Sequence, residues 1–186
     1  NEETRFNPQS PYACAKVMAY HLARYYREAF GIHASTAILY NHESPRRTVE
    51  YVTRKVTHAV ARIAAGKQDK LVLGDLSAEI DWGFSGEFME AAWRMVQLDR
   101  ADDFVIGTGE AHSVRDWVDE AFAVVGLKSS DYVEIDQRLL RPTKTSTLVA
   151  DITKARAAFG FDPQVRFRSL VKLMVEADLE ALNQSQ

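Results

Sequence analysis

Tyr12 and Lys16 are the residues of this sequence whose types and spacing point most directly to chemistry. They lie four positions apart in the segment Ser-Pro-Tyr-Ala-Cys-Ala-Lys, residues 10–16. Ser10 is a favourable N-cap residue and Pro11 suits the first helical position, so the sequence predicts that a helix begins here. Residues four apart on a helix share a face, which would place the phenol beside the ammonium group. A phenol in that position can act as a proton acceptor.

Such a pair works as a base only where it is partly desolvated. Free tyrosine has a pKa of about 10, and lowering that value to near 7 requires about 4 kcal/mol. An exposed lysine contributes about 1 kcal/mol or less. The remainder would have to come from a partly desolvated pocket with a cationic cofactor ring nearby. Outside such a pocket, the same spacing describes a half-buried tyrosine beside a solvated lysine.

The residues around this pair resemble those of a known family. The segment 4–16, Thr-Arg-Phe-Asn-Pro-Gln-Ser-Pro-Tyr-Ala-Cys-Ala-Lys, resembles the active-site segment of extended short-chain dehydrogenases that act on nucleotide sugars. Further blocks look specifically like the GDP-mannose 4,6-dehydratase family. These blocks are Tyr-Asn-His-Glu-Ser-Pro-Arg-Arg at 40–47, Val-Thr-Arg-Lys at 52–55, Asp-Trp-Gly at 81–83, Glu-Ile-Asp-Gln-Arg at 134–138 and Arg-Pro at 141–142.

The resemblance implies an α/β fold with two parts. One is the C-terminal part of an NAD(P)-binding Rossmann domain of the extended short-chain dehydrogenase type, and the other is a smaller mixed α/β lobe that binds the sugar nucleotide. Residues 1–41 would end the Rossmann domain with the Tyr-x-x-x-Lys helix and the following strand. Residues 42–186 would form mainly the substrate lobe, with 81–110 returning to the Rossmann sheet.

Two expected elements of the family are absent from the sequence. The chain has nine glycines, but no Gly-x-Gly-x-x-Gly turn that follows a strand and holds the pyrophosphate of NADP. The family's Thr-x-Glu element, which supplies a second acid/base group, would lie before residue 1. We therefore interpret the 186 residues as the C-terminal portion of a longer enzyme, and expect this portion alone to be inactive.

The apolar pattern itself predicts alternating helices and short strands. Helices are predicted over about 10–30, 48–65, 85–98, 113–126, 152–159 and 169–182, and strands over 32–40, 70–73, 104–106 and 132–135. The 32–40 strand is expected to be buried in a parallel sheet. The first helix carries an apolar stripe that could serve a core or an interface.

The loop after the 32–40 strand is the second candidate site. In open parallel sheets, ligands bind beyond the carboxyl ends of strands. Asn41, His42, Arg46 and Arg47 follow this strand, and together they could hold ribose and phosphate groups. Without the family match, the same residues describe a solvated basic loop. The resemblance implies that His42 and Arg47 contact NADP and that Asn41 contacts the nucleotide sugar.

The resemblance also implies that Lys55 contacts the guanine nucleotide and that Arg141 holds the GDP moiety. The sequence departs from the family at two positions, with Ile80 in place of an arginine and Lys144 in place of a glutamate. Lysine cannot accept a hydrogen bond from a ribose hydroxyl as glutamate can, so the base specificity stays open. We expect Ile80→Arg to tighten binding of the GDP-sugar, unless Ile80 is buried, where arginine would destabilise the fold.

Composition excludes several other classes of protein. A net charge of −3 gives no reason to expect nucleic-acid binding. The single cysteine, Cys14, rules out an internal disulfide framework, suits a reducing, cytoplasmic compartment and is expected to be buried. No apolar stretch approaches the ~20 residues of a membrane span. No second ligand pair accompanies His42 and Glu43 at zinc-like spacing, so no metal is expected.

The resemblance therefore implies a dehydratase that uses NADP. It would convert GDP-D-mannose to GDP-4-dehydro-6-deoxy-D-mannose, a precursor of fucose, by oxidation, elimination of water and reduction, with Tyr12 as base and Lys16 on the nicotinamide ribose. The complete enzyme is expected to be a homo-oligomer, either dimer or tetramer. Two alternatives stay open: a non-catalytic, subunit-binding remnant, or an epimerase or reductase acting on another nucleotide sugar.

Overall fold

The computed structural model describes residues 1–139 and 147–184 and has a mixed α/β architecture. The helices in these residues are α1 (Pro11–Phe30), α2 (Val52–Ala64), α3 (Ser85–Val96), α4 (Val114–Val124), α5 (Thr153–Phe159) and α6 (Phe167–Gln184). The strands are β1 (Thr36–Leu39), β2 (Asn41–Glu43), β3 (Leu71–Leu73), β4 (Glu79–Phe84), β5 (Asp103–Ile106), β6 (Ala111–Ser113) and β7 (Val133–Ile135). The predicted α/β class is confirmed. Among the described helices, none has the length and apolar character that a membrane span requires.

Local signals fix both ends of α1. The Ser10 side chain accepts a hydrogen bond from the Ala13 amide at 3.1 Å, and Pro11 occupies the first helical position. Gly31 ends the helix with φ at 65°, and its amide donates to the Arg27 carbonyl. Only glycine adopts this left-handed conformation at little cost. The predicted start and stop of the helix are confirmed.

One buried ion pair attaches α1 to the rest of the molecule. Arg27 donates to both carboxylate oxygens of Asp103 at 2.8 Å and to the Ala34 carbonyl at 2.8 Å. Burial alone would raise the pKa of Asp103, but the hydrogen bonds from Arg27 hold it below its usual range. The helix that carries Tyr12 and Lys16 is thereby fixed to the start of β5.

The apolar stripe of α1 is exposed in the part of the chain that the structure describes. Every residue of α1 is at least partly accessible, and the side chains Met18, Leu22, Tyr25 and Tyr26 are among the exposed large hydrophobic groups. The prediction that Cys14 is buried is wrong, because its thiol lies on this accessible helix. Within the described residues, the stripe therefore contributes no core.

The predicted 32–40 strand is shorter in the structure, where β1 covers Thr36–Leu39 and pairs in parallel with β5. β2 begins after it, at Asn41, and pairs in parallel with β4. The prediction of a parallel sheet is confirmed, but the prediction of burial is wrong: β1 is only half-buried. The reason is that β5 is the one strand that pairs with β1 among the described residues.

Three strands that the sequence analysis did not predict, β2, β4 and β6, form one sheet. β4 lies between β2 and β6, parallel to β2 and antiparallel to β6. β3 pairs in parallel with β7 and forms a separate two-stranded sheet. α2 begins at Val52 and not near residue 48, because residues 48–51 form turns before the helix.

Side chains pack into two cores. The first core lies among α2, α4, α6, β3 and β4, and its largest buried members include Trp82, Trp117, Phe122, Leu170 and Met174. The second core lies among α3, α5 and β5, and it includes Phe88, Met95, Phe104, Ile106 and Phe161. The two cores adjoin at β4, because Trp82 belongs to the first core while Gly83 lies against Phe88 of the second.

Asp81, on β4, connects the two cores through a buried carboxylate that is 1% exposed. Its Oδ1 accepts from the Thr108 amide at 2.9 Å and the Thr108 hydroxyl at 2.6 Å. Its Oδ2 accepts from the Gly109 amide at 3.0 Å and the Ala150 amide at 3.1 Å. A buried carboxylate is tolerated only when such donors replace its water.

Gly107 allows this close approach. A Cβ atom at Gly107 would lie 2.3 Å from the Cβ atom of Ala150 and 3.2 Å from Asp81 Oδ2. Glycine is therefore required where the segment after β5 passes between the carboxylate and the 147–150 segment.

Asp81→Asn is expected to lower the free energy of unfolding by about 2–4 kcal/mol. In asparagine an NH₂ group replaces one carboxylate oxygen, and as a donor it cannot accept from the two backbone amides that now donate to that oxygen. Hydrogen bonds to charged groups contribute about 1.5–3 kcal/mol each. Denaturant titration measures the change. The exposed Asp99 provides the control, since Asp99→Asn should change the value by about 0.5 kcal/mol or less. A loss below about 1 kcal/mol for Asp81→Asn would contradict the assignment of this carboxylate as a structural centre.

Ile80 is half-buried and packs against the first core, with His112 of β6 opposite it in the sheet. We therefore expect Ile80→Arg to lower the free energy of unfolding by about 1–3 kcal/mol, because a guanidinium would lose water at a site that an apolar side chain now fills. Melting temperature tests this expectation, together with the KM for GDP-mannose, the substrate that the family resemblance implies. A lower KM at unchanged melting temperature would show that the side chain at position 80 faces the nucleotide.

Candidate active site

Tyr12 and Lys16 are neighbours on α1, as their spacing predicts. The Lys16 Nζ atom lies 5.5 Å from the centroid of the Tyr12 ring. The Tyr12 side chain is 72% exposed within the described residues, so they do not by themselves form the desolvated pocket that a tyrosine base needs. The geometry places the phenol and the ammonium group side by side on one open helix face.

The pairing of β2 with β4 positions Asn41 and His42. Asn41 lies opposite Trp82, and His42 lies opposite Gly83. His42 Nδ1 is 3.0 Å from the Tyr40 carbonyl oxygen, which can only accept a hydrogen bond. In the neutral ring the proton therefore lies on Nδ1, and Nε2 is left as the acceptor for a hydroxyl group of a ligand.

Phe88 forms an aromatic support beneath His42. The two ring centroids are 5.4 Å apart, and Phe88 is completely buried. A Cβ atom at Gly83 would lie 2.3 Å from Phe88 Cε1, so glycine is needed for the phenyl ring to pack against β4 at this point. The Asp-Trp-Gly block thus serves the fold: the carboxylate joins the cores, the indole fills one of them, and the glycine admits the ring that supports His42.

Arg47 is held by a buried carboxylate and an aromatic face. Its Nε atom lies 3.4 Å from Glu43 Oε2, an ion-pair distance without hydrogen-bond geometry, and its guanidinium carbon lies 3.5 Å from the Tyr51 ring centroid. Burial raises the pKa of Glu43, and the Arg47 charge only partly offsets this effect. Sequence reasoning did not assign Glu43 this role, because the partner of a buried glutamate is set by how the loop turns.

Lys55 lies in the first turn of α2, as predicted, and its Nζ atom donates to the Val72 carbonyl on β3 at 2.8 Å. A surface pocket of about 340 Å³ opens where β3 and β7 end. It is lined by Gly74, Asp75, Leu76, Ser77, Ser113, Arg115 and Ile135. Parallel strands commonly present ligands at their carboxyl ends. Sequence reasoning did not single out Arg115. It lies in the first turn of α4, just after the N-cap residue Ser113.

Two predicted positions, Arg141 and Lys144, lie outside the described residues. A larger surface cavity of about 630 Å³, lined by charged side chains of α4 and the 166–168 segment, includes none of the predicted site residues. Within residues 1–139 and 147–184, no three His, Cys, Asp or Glu side chains group as metal ligands.

Glu43→Gln is expected to flatten the pH dependence of stability between about pH 4.5 and neutrality. Because the folded-state pKa of Glu43 is raised, the folded protein binds more protons than the unfolded chain in this range, so stability falls as pH rises. The amide removes that contribution. Denaturant titrations at several pH values measure the slope for both proteins.

Glu50→Gln is the matched control for this experiment. A hydrogen bond from Thr48 lowers the pKa of the exposed Glu50, so its contribution lies below about pH 4.5. Its substitution should leave the slope above that pH unchanged. Equal slopes for Glu43→Gln and the parent protein would show that Glu43 is not desolvated in solution.

Comparisons with known proteins identify the family of this chain. A family model described as GDP-mannose 4,6 dehydratase matches residues 1–174. GDP-mannose 4,6 dehydratase 2 of Arabidopsis thaliana is 49% identical over 180 residues, which cover 97% of this chain and 48% of that relative. The human GDP-mannose 4,6 dehydratase is 40% identical over 198 residues, which cover 97% of this chain and 53% of that relative. The chain thus spans about half the length of these curated relatives.

Solved structures show the same fold. RMD from Pseudomonas aeruginosa, solved in complex with NADPH, superposes with a TM-score of 0.89 at 18% identity, over 97% of this chain and 60% of that one. At this identity the likeness concerns the fold, which is that of extended short-chain dehydrogenases. The sequence matches decide the family: the chain belongs to the GDP-mannose 4,6 dehydratase family.

Proposed function

We propose that the protein containing this chain is an NADP-dependent GDP-mannose 4,6-dehydratase. It converts GDP-D-mannose to GDP-4-dehydro-6-deoxy-D-mannose and water, a step toward GDP-fucose and related deoxysugars. The observation that carries the proposal is the adjacency of Tyr12 and Lys16 on α1, 5.5 Å from ammonium nitrogen to ring centroid, in a chain of this family.

In this proposal Tyr12 is the base that starts the reaction. Its phenolate oxygen accepts the proton of the sugar 4-hydroxyl, and Lys16 favours the phenolate while holding the nicotinamide ribose. NADP, when bound, supplies hydride acceptance at C4 and hydride return at C6, so that it is regenerated within one turnover. Loss of water across C5 and C6 needs a further base, which we assign to no residue of this chain.

The donors and acceptors near β2 fit a dinucleotide. His42 Nε2 can accept from a ribose hydroxyl, and the Arg47 guanidinium can donate to a phosphate. We assign both residues to NADP and Asn41, next to them, to the sugar. Lys55 and Arg141 are assigned to the GDP moiety. The pocket where β3 and β7 end supports this assignment, because Gly74 in its lining lies two residues after Val72, whose carbonyl accepts from Lys55.

The same proposal extends to the organisation of the protein. Residues 1–41 would belong to the cofactor domain and 42–186 mainly to the substrate lobe, with 81–110 returning to the first; the pairing of β1 with β5 supports this division. The exposed apolar stripe of α1 supports a homo-oligomer, dimer or tetramer. The exposed Cys14 thiol favours a reducing compartment such as the cytoplasm. Neither nucleic acid nor a membrane is among the proposed partners.

Ile80 favours a second candidate function. The family usually has an arginine here, whereas Ile80 packs against the first core. A site with one cation fewer could serve a different nucleotide sugar, with Tyr12 and Lys16 then acting in an epimerase or reductase. Product analysis separates the two functions, because only the dehydratase releases water and leaves a 4-keto-6-deoxy sugar.

Tyr12→Phe in the intact protein is expected to lower kcat by about 10²–10⁴ while the Kd values for NADP and GDP-mannose stay nearly unchanged. The phenylalanine ring keeps the packing, whereas the proton transfer belongs to the transition state. Steady-state kinetics and calorimetric titration measure these quantities. Tyr25→Phe, on the same helix and also exposed, is the control and should retain the parent kcat. A Tyr12→Phe protein with more than half of the parent kcat would exclude Tyr12 as the base.

A further inference from the structure

We infer that Arg54 is a positioning residue that fastens the 44–47 loop of the candidate cofactor site to α6. The inference rests on the proposed function, because it concerns the loop that places Arg47 against NADP. Arg54 lies in the first turn of α2 and its side chain is 16% exposed. Its guanidinium makes directed hydrogen bonds to one carboxylate and to two backbone carbonyls.

One end of the Arg54 guanidinium holds the loop. Nη1 donates to the Pro45 carbonyl in a short contact and to the Arg47 carbonyl at 3.2 Å. These two carbonyls belong to the residues on either side of Arg46, and the same nitrogen donates to both. A backbone carbonyl held in this way fixes the direction in which the Arg47 side chain leaves the loop.

The other end of the guanidinium is bound to α6. Arg54 Nε lies 2.9 Å from Asp178 Oδ1, and Nη2 lies 2.7 Å from the same oxygen. Asp178 is 3% exposed and also accepts from the Thr57 hydroxyl at 2.7 Å. The buried carboxylate therefore has a donor on each oxygen and is itself held by α2, which makes it a rigid attachment point.

The remaining polar contacts of the loop are local. The Arg47 amide donates to the Ser44 carbonyl at 2.9 Å, and the Arg46 amide donates to the Ser44 hydroxyl at 3.2 Å. These bonds shape the turn but do not attach it to another element. The Glu43–Arg47 ion pair joins the loop to β2, and Arg54 is the polar connection between this loop and the helices in the part of the chain that the structure describes.

The chemistry requires arginine at this position. A guanidinium offers five N–H donors in a rigid fork, so it can serve a carboxylate on one side and carbonyls on the other. A lysine ammonium could reach one of these partners at a time. If Arg54 served only the packing of α2 on α6, its Nη1 would have no reason to reach the loop carbonyls.

The test compares Arg54→Lys with Val171→Ala in the intact protein. Val171 is completely buried on α6 two turns before Asp178, so its truncation weakens the same helix contact without touching the loop. Two quantities are measured for each: amide hydrogen exchange across residues 44–51 and the Kd for NADP. Arg54→Lys should speed exchange in this segment and raise the Kd about tenfold or more, because small misplacements of a positioned group cost that much. At saturating NADP, kcat should change by less than about threefold.

The control and a milder variant keep the outcome interpretable. Val171→Ala should lower the melting temperature and leave both loop exchange and NADP affinity at parent values. Thr57→Val removes the hydroxyl group that contacts Asp178 at 2.7 Å and the Arg54 carbonyl at 3.3 Å. It should move both quantities in the same direction by a smaller amount, and it takes the place of Arg54→Lys if that protein does not fold.

Unchanged loop exchange in both Arg54→Lys and Thr57→Val would overturn the inference. The same holds if Val171→Ala raises the Kd as much as Arg54→Lys does, because the effect would then be general destabilisation. Faster loop exchange with unchanged NADP affinity would support the inference that Arg54 attaches the loop. The same result would contradict the assignment of Arg47 to NADP. Failure of the inference and failure of the proposed function are thereby distinguishable.

Discussion

The buried carboxylate of Asp81 is the interaction on which the arrangement of the two cores depends. It lies next to Trp82, which fills the first core, and it accepts from Thr108, Gly109 and Ala150, which border the second. An ionised carboxylate at 1% exposure costs several kcal/mol of lost hydration, so it persists only because four donors converge on it. Directed hydrogen bonds, unlike apolar packing, also fix the angle at which the cores meet.

This junction places the candidate site. β1 belongs to the sheet of the second core, whereas β2 pairs with β4 beside the first, so the chain crosses between them at Tyr40. Asn41 and His42 follow at once, and His42 is tied back to the Tyr40 carbonyl at 3.0 Å. Residues that are proposed to contact both cofactor and sugar thus lie where the chain leaves one sheet and enters the next. A ligand bound there would touch elements of both cores.

Sequence reasoning succeeded where the physical cause is local. Ser10, Pro11 and Gly31 fix α1 within a few residues, and Ser113 with Asp116 forms the reciprocal cap at the predicted start of α4. It failed where the cause is distant. Arg54 meets Asp178 from 124 positions away, and Asp81 meets Ala150 from 69 positions away. The case of β4 is different, because its polar and apolar residues alternate as in a strand, and sequence reasoning overlooked that local signal. Its place is set by its two partner strands.

The charge of a bound nucleotide gives the last constraint on the site. A diphosphate brings negative charge that cations must offset, and Ile80 leaves β4 without one at a position where the family resemblance leads us to expect arginine. Lys55 already donates to the Val72 carbonyl, which holds its ammonium at the edge of β3. Arg115 lines the adjoining pocket, and its backbone is fixed by a bond from its amide to the Leu76 carbonyl at 3.0 Å. If the GDP moiety binds where β3 and β7 end, cations near that edge must offset the charge of its phosphates. Position 80 supplies no cation, so among the described side chains this role falls to Lys55 and Arg115.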